Sequence, residues 1–262
     1  MIRMRADFFA ESLGMGTSMV VLMPQETAGI GMAAAGPPEG GVPVLYLLHG
    51  LSDDCTGWER RTSIERYASD TGIAVVMPEV RRSFYADEAV GEAYWTFLSE
   101  ELPALLARTF RISTAREDTF VAGLSMGGFG AFKLALNHPD RIAAAASLSG
   151  ALDLTQRSFD GSNGHLAERI WGDTDLAGTP DDLVDLVRRA DPASTPALWL
   201  DCGTEDFLVE HNRTFAAAAK EAGVRLQARF RPGAHSWDFW DDGIRDVLAW
   251  LPIRREVEVT AV

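Results

Sequence analysis

Gly123-Leu124-Ser125-Met126-Gly127-Gly128 follows directly on the apolar run Thr119-Phe120-Val121-Ala122. This is Gly-x-Ser-x-Gly between a strand and a helix, the setting in which a serine is carried on a sharp turn with Oγ above a sheet edge. Glycines two before and two after the serine leave room for a turn that strains the serine backbone. Such a serine is a nucleophile for acyl carbon. Its place at the start of a helix puts amide N–H groups and the helix dipole beside any negative charge that develops.

A serine nucleophile needs a base, and the candidates are His49, His138, His165, His211 and His235. His49 ends an apolar strand, His138 sits in the helix stop Asn137-His138-Pro139-Asp140, His165 lies in a polar loop and His211 falls early in a helical pattern. His235, in Arg231-Pro232-Gly233-Ala234-His235-Ser236-Trp237, stands between the last strand and the last helix. It is the expected general base. A carboxylate must orient the imidazole and stabilise its charged form, in chain order serine, acid, histidine. Asp206 fits best, in the turn after Ala197-Leu198-Trp199-Leu200, at the carboxyl end of a strand where open α/β sheets gather ligands. Asp201 and Glu205 are its rivals.

The oxyanion of a tetrahedral intermediate calls for two backbone N–H groups. Met126, the residue after the serine, offers one. The other is expected from Leu51, just beyond the run Val44-Leu45-Tyr46-Leu47-Leu48-His49-Gly50. Aromatic residues gather near the same turns, and Trp58, Tyr85 and Trp237 are the candidates for contact with the acyl or alcohol part of a substrate.

Around these residues apolar strands alternate with helical segments, the pattern of a mostly parallel sheet covered on both faces. Strands are predicted at Ser18–Pro24, Val44–His49, Ile73–Pro78, Thr119–Gly123, Ile142–Leu148, Ala197–Asp201 and Arg225–Arg231. Helices are predicted at Thr62–Ser69, Tyr94–Phe110, Met126–Leu136, Leu208–Ala222 and Asp238–Leu251, with Phe129, Phe132 and Leu136 forming one apolar stripe. Thr27–Pro43 reads as a Gly/Ala/Pro-rich loop. The segment 153–192 breaks the rhythm with Gly161-Ser162-Asn163-Gly164 and an acidic helix-like stretch over Asp181–Ala190, and is long enough to overhang the serine as a small cap.

The chain has 262 residues, 47% of them hydrophobic, enough for one large core and one domain. A formal charge of −14 argues against nucleic acid or an anionic membrane as partner, because phosphate surfaces reward a basic protein. No apolar run reaches the roughly 20 residues that span a bilayer. The N-terminal stretch has basic residues and no apolar core of a secretory signal, so a cytoplasmic protein is expected. Cys55 and Cys202 belong to no metal or redox spacing and read as reduced thiols. The chemistry needs neither a metal nor an organic cofactor, and the expected partner is a small-molecule ester; a homo-oligomer is compatible with all of this.

Several segments together resemble the tributyrin esterase group within the esterase D family of α/β-hydrolases. They are Phe8-Phe9-Ala10-Glu11-Ser12-Leu13-Gly14-Met15, Leu47-Leu48-His49-Gly50-Leu51-Ser52-Asp53-Asp54, Arg61-Thr62-Ser63-Ile64-Glu65-Arg66-Tyr67, Ala74-Val75-Val76-Met77-Pro78, Arg82-Ser83-Phe84-Tyr85, Gly203-Thr204-Glu205-Asp206-Phe207-Leu208 and His235-Ser236-Trp237-Asp238-Phe239-Trp240. The resemblance implies an α/β-hydrolase fold, hydrolysis of short-chain carboxylic esters, and Ser125, Asp206 and His235 as catalytic triad. S-formylglutathione hydrolases are similar too, but typically show Gly-His-Ser-Met-Gly-Gly-His-Gly at the elbow and Leu-Thr-Cys-Thr at the oxyanion turn. Here Leu124 and Phe129 replace the two histidines, and Cys55 stands two positions away from the expected cysteine.

Overall fold

Strands with no polar face force a sheet to be covered on both sides, and Val44–Leu48, Ala74–Pro78 and Ala144–Leu148 are buried at every position. In the computed structural model, which describes residues 1–25, 40–155 and 164–253, these runs form the middle of one eight-stranded sheet. Its strands are β1 (Ile2–Ala10), β2 (Met15–Met23), β3 (Val44–Leu48), β4 (Ala74–Pro78), β5 (Thr119–Leu124), β6 (Ala144–Leu148), β7 (Ala197–Gly203) and β8 (Leu226–Arg231). The spatial order is β1-β2-β4-β3-β5-β6-β7-β8. The pairs β1–β2 and β2–β4 are antiparallel and the rest are parallel.

Between and after the strands run α1 (Gly57–Arg61), α2 (Ile64–Ser69), α3 (Tyr94–Thr96), α4 (Leu102–Thr109), α5 (Met126–Asn137), α6 (Gly164–Trp171), α7 (Leu183–Arg188), α8 (Val209–Glu221) and α9 (Trp237–Trp250). Two apolar clusters lie on opposite faces of the sheet. One gathers α4, α5, α7 and α8 side chains such as Leu106, Phe132, Val187 and Phe215; the other gathers Trp58, Ile64, Trp240 and Val247 from α1, α2 and α9. The α/β architecture with helices on both faces is therefore as expected.

Three local features differ from the sequence reading. Strand β1 was not expected, because of its inward positions only Ala10 is fully buried and Met4, Ala6 and Phe8 are partly so, while Arg3, Arg5, Asp7 and Phe9 face outward. The helix expected over Tyr94–Phe110 is interrupted by a π turn at Phe97–Glu101, directly ahead of Pro103. Proline has no N–H and its ring collides with the carbonyl four residues earlier, and a widened turn accommodates both. Helix α5 is buried around nearly its whole circumference rather than on one stripe, since it lies between β5, β6 and α7.

The loop expected over 27–43 and the Gly-rich stretch 161–164 lie largely outside the described residues. The described part of 153–192 packs α7 on α5 and α8, and Ala89 and Val90 donate N–H groups to the Ile170 and Arg169 carbonyls of α6. Among the described residues no helix is long and apolar enough to cross a membrane.

Candidate active site

The parallel strands β3, β5, β6 and β7 end in register, and Leu51, Ser125 and Asp206 follow the carboxyl ends of β3, β5 and β7. Ser125 joins β5 to α5 with φ 54° and ψ −116°, a conformation that L-residues adopt only under constraint. The constraint is visible on both sides. Ser125 N–H donates to Leu148 C=O at 2.9 Å, and Ser125 C=O accepts the N–H groups of Phe129 and Ala151. The flanking glycines are sterically required, since a Cβ on Gly123 would stand 2.3 Å from Gly127 O and one on Gly127 2.2 Å from Leu48 O. Ser125 keeps partial exposure while Met126 is buried.

The loops after β7 and β8 are packed so tightly that a Cβ on Gly203 would lie 2.0 Å from Gly233 O. Across this contact His235 Nδ1 stands 2.9 and 3.0 Å from the two carboxylate oxygens of Asp206. Asp206 Oδ1 also accepts Leu208 N–H at 2.8 Å. Burial by itself would raise the Asp206 pKa, but the hydrogen bonds from His235 and Leu208 outweigh it and hold the carboxyl below its ordinary value. Asp206 is thus the partner of Nδ1, leaving Nε2 on the opposite side of the ring.

The two rival carboxylates are occupied elsewhere. Asp201 is still inside β7, fully buried, and pairs with Arg229 at 2.6 Å and Arg231 at 3.1 Å. Glu205 is exposed and accepts Gly233 N–H and the Thr204 hydroxyl, which pins the loop that carries His235. Of the other candidate bases, His138 stacks on Trp95, His211 Nδ1 accepts Asp153 N–H at 3.4 Å, and His165, expected in a polar loop, is exposed in the first turn of α6.

Leu51, in the turn after β3, follows Gly50, on which a Cβ would be 3.8 Å from Ser125 Cβ. Among the described residues neither Leu51 N–H nor Met126 N–H meets a backbone acceptor.

Of the three aromatic residues expected to touch substrate, two are placed otherwise. Trp58 is 1% exposed, and its Nε1–H donates to Leu48 C=O at 3.0 Å. Tyr85 is 0% exposed, and its hydroxyl donates to His49 C=O at 2.9 Å. Both are sealed against the end of β3, because each has a polar tip that finds a buried carbonyl there. Trp237 is half-buried and joins Trp58 and Trp240 in edge-to-face contacts, with Trp240 meeting the His235 ring at 4.8 Å. Sequence reasoning passed over Phe207, which is 74% exposed and rests on the other side of the His235 ring at 4.5 Å. Its signal was a large apolar side chain in the otherwise polar turn Gly203-Thr204-Glu205-Asp206.

Cys55 and Cys202 are buried free thiols, and burial pushes their pKa values up to about 11 and about 12. Both are therefore protonated and poor nucleophiles at neutral pH. Among the described residues no cluster of His, Cys, Asp or Glu is placed to hold a metal ion.

A mostly parallel sheet carrying a strained serine after its central strand, with Asp and His on the loops after its last two strands, is the α/β-hydrolase fold of a carboxylic ester hydrolase. Residues 10–251 match the family Esterase, described as "Putative esterase", and the chain belongs to that family. It is 29% identical over 259 residues to an acetyl esterase of Caldicellulosiruptor saccharolyticus, covering 95% of this chain and 97% of that one. Among solved structures it is similar to FphF, a fluorophosphonate-binding serine hydrolase of Staphylococcus aureus, with TM-score 0.85, 31% identity, and 97% and 99% of the two chains covered. It is likewise similar to the S-formylglutathione hydrolase FrmB of Staphylococcus aureus, with TM-score 0.81, 32% identity, and 95% and 98% covered.

Proposed function

We propose that this protein is a serine carboxylesterase of the tributyrin esterase type that hydrolyses short acyl esters, acetyl to butyryl, through an acyl-enzyme. The observation that carries the reading is the pairing of His235 Nδ1 with both oxygens of Asp206 at the sheet edge where Ser125 is held on its strained turn. In this reading His235 Nε2 takes the Ser125 hydroxyl proton as Oγ attacks the ester carbonyl. The developing oxyanion is held by the N–H groups of Leu51 and Met126. His235 then gives its proton to the departing alcohol, and water releases the acyl group by the same steps in reverse. Asp206 keeps the imidazole in the tautomer that leaves Nε2 free to accept. The likeness to an acetyl esterase along nearly the whole of both chains supports the short acyl range.

A second reading, hydrolysis of S-formylglutathione, draws on the similarity to FrmB. Leu124 and Phe129, both buried, speak against it, as they stand where S-formylglutathione hydrolases typically carry histidines. The test is kcat/KM for acetyl, butyryl and decanoyl esters of one alcohol against S-formylglutathione, with Ser125→Ala as control. Short esters should exceed the decanoyl ester and the thioester, and Ser125→Ala should lose on the order of 10⁶-fold in kcat. A thioester value about a hundredfold above the best short ester would replace the first reading by the second, and an active Ser125→Ala would remove both.

A further inference from the structure

His49 is a polar residue at the end of an otherwise apolar strand, 1% exposed, with both ring nitrogens engaged. Nε2 lies 3.1 Å from Val80 N–H, and Nδ1 lies 2.8 Å from Gly50 O. A backbone N–H can only donate, so Nε2 is the unprotonated nitrogen and the hydrogen is on Nδ1. Nδ1–H therefore donates to the Gly50 carbonyl. The same carbonyl accepts Asp53 N–H at 3.2 Å, so two donors hold one oxygen.

That oxygen belongs to the peptide unit whose N–H is Leu51's. In a trans peptide C=O and N–H point in opposite directions, and among the described residues every peptide is trans. Holding the carbonyl on one side fixes the N–H on the other. The need for such a clamp comes from Gly50 itself. A Cβ there would lie 2.6 Å from Leu124 Cδ1, so the elbow packs closely against a residue that has no side chain. Glycine also gives the peptide freedom to turn over. Turned over, it would present a carbonyl lone pair where the reaction develops negative charge.

The surroundings brace the clamp. Tyr85 Oη donates to His49 C=O at 2.9 Å, and Glu79 accepts Cys55 N–H at 3.0 Å and Arg81 N–H at 2.8 Å, tying the oxyanion turn to the segment after β4. That segment holds three non-glycine residues at positive φ: Arg81 at 52°, Phe84 at 50° and Tyr85 at 53°. Such strain persists only where the surrounding contacts over-determine the backbone.

We propose that His49 is a positioning residue that locks the Gly50–Leu51 peptide with its N–H presented to the substrate oxyanion, Tyr85 acting behind it. The proposal rests on the reading of Ser125 as nucleophile and Leu51 as oxyanion donor. His49→Asn and His49→Gln separate positioning from packing, because the Asn amide nitrogen reaches the place of Nδ1 whereas the Gln amide reaches that of Nε2. With a short ester, His49→Gln should lower kcat by about 10²-fold, the effect of losing one oxyanion donor, at nearly unchanged KM. A trifluoromethyl ketone, which forms a tetrahedral oxyanion on serine, should weaken in the same proportion. His49→Asn should keep most of both despite its smaller volume.

Equal losses in the two variants, a better His49→Gln, or a loss confined to KM would overturn the proposal. Should a His49 variant not fold, Tyr85→Phe decides the matter. A several-fold fall in kcat at unchanged KM and ketone affinity reduced in step support the clamp, and an unaltered kcat overturns it. Labelling of the unsubstituted enzyme with a fluorophosphonate separates the two levels. Labelling that Ser125→Ala abolishes keeps the serine reading whatever the His49 variants do, and labelling that survives Ser125→Ala removes that reading and the clamp with it.

Discussion

At Asp206 burial and hydrogen bonding pull the carboxyl in opposite directions, and the bonds from His235 and Leu208 prevail. An ionised acceptor at this place keeps the hydrogen on Nδ1. Asp206→Asn exchanges one acceptor oxygen for a donor, which favours the wrong tautomer, and kcat should fall by about 10⁴-fold with the fold intact. Glu205→Gln should change kcat only a few-fold, because the amide oxygen can still accept Gly233 N–H. Steady-state kinetics with circular dichroism as a fold control checks both, and comparable losses would return the choice of acid to open. The sequence could single out Ser125 as the candidate nucleophile because the elbow is a local motif, with serine, glycines and strand in one short stretch. It favours Asp206 over Asp201 and Glu205 by place in the turn, but it cannot show what the three carboxylates meet, since their partners Arg229, Gly233 and His235 are all distant in the chain. For the same reason Trp58 and Tyr85 were read as pocket residues: an aromatic near a turn looks alike in sequence whether its polar tip meets a buried carbonyl or a substrate.

Among the elements, α5 shows most clearly what pattern reading can and cannot reach. Its existence and limits were legible in apolar spacing and in the stop at Asn137-His138-Pro139. Its nearly complete burial was not, because Lys133 on the same helix is 2% exposed and reads as a surface residue. The ammonium is held by an ion pair with Asp181, by Tyr85 C=O at 2.9 Å, and by the face of Trp95 at 4.5 Å. Burial pulls the Lys133 pKa down while Asp181 opposes it. This pair fastens the helix that follows Ser125 to the chain leading into α7. Lys133→Met leaves Asp181 with Trp171 Nε1–H as its remaining side-chain donor, and should cost about 3 to 5 kcal/mol in denaturant unfolding. The double variant Lys133→Met/Asp181→Leu should recover much of that, and additive losses would contradict the pairing. Strand β1 escaped prediction for the converse reason, as an edge strand with one lightly apolar face carries little periodic signal.

At the scale of the whole molecule, protonation and net charge act against each other. Burial lowers the pKa of His211, with Asp153 opposing, and lowers that of His138, with Arg141 adding to the effect. The native state therefore prefers the neutral rings, and the unfolded chain takes up protons first as pH falls below 6.5, the reference value for both. Stability contributed this way is full above that pH and is lost as pH drops towards the native pKa values. Relief of self-repulsion in a chain of net charge −14 works in the other direction. His211→Gln isolates the first effect. Its melting temperature should fall less than that of the unsubstituted protein between pH 7.5 and 5.5, and parallel slopes would show that His211 does not contribute.

Among the described residues strand β8 pairs with β7 alone, and none of its six residues is buried. Beyond its backbone ladder to β7 it is held by Arg229 and Arg231 on Asp201, by Arg229 on Asp246, and by Glu205 on the loop that follows. His235 rides on that loop. The most reactive group of the proposed mechanism thus belongs to the part of the sheet with least to lose by detaching, and local opening there is cheaper than global unfolding. In rising denaturant, esterase activity should vanish at a lower midpoint than helical ellipticity, with amide exchange over 226–235 faster than in β5. Coincident midpoints would mean that the edge opens only with the core. Between the two transitions the molecule would be native-like yet silent, so that survival of the fold under stress and survival of the catalyst become separate quantities, the second governed by the two arginines that fasten one edge strand.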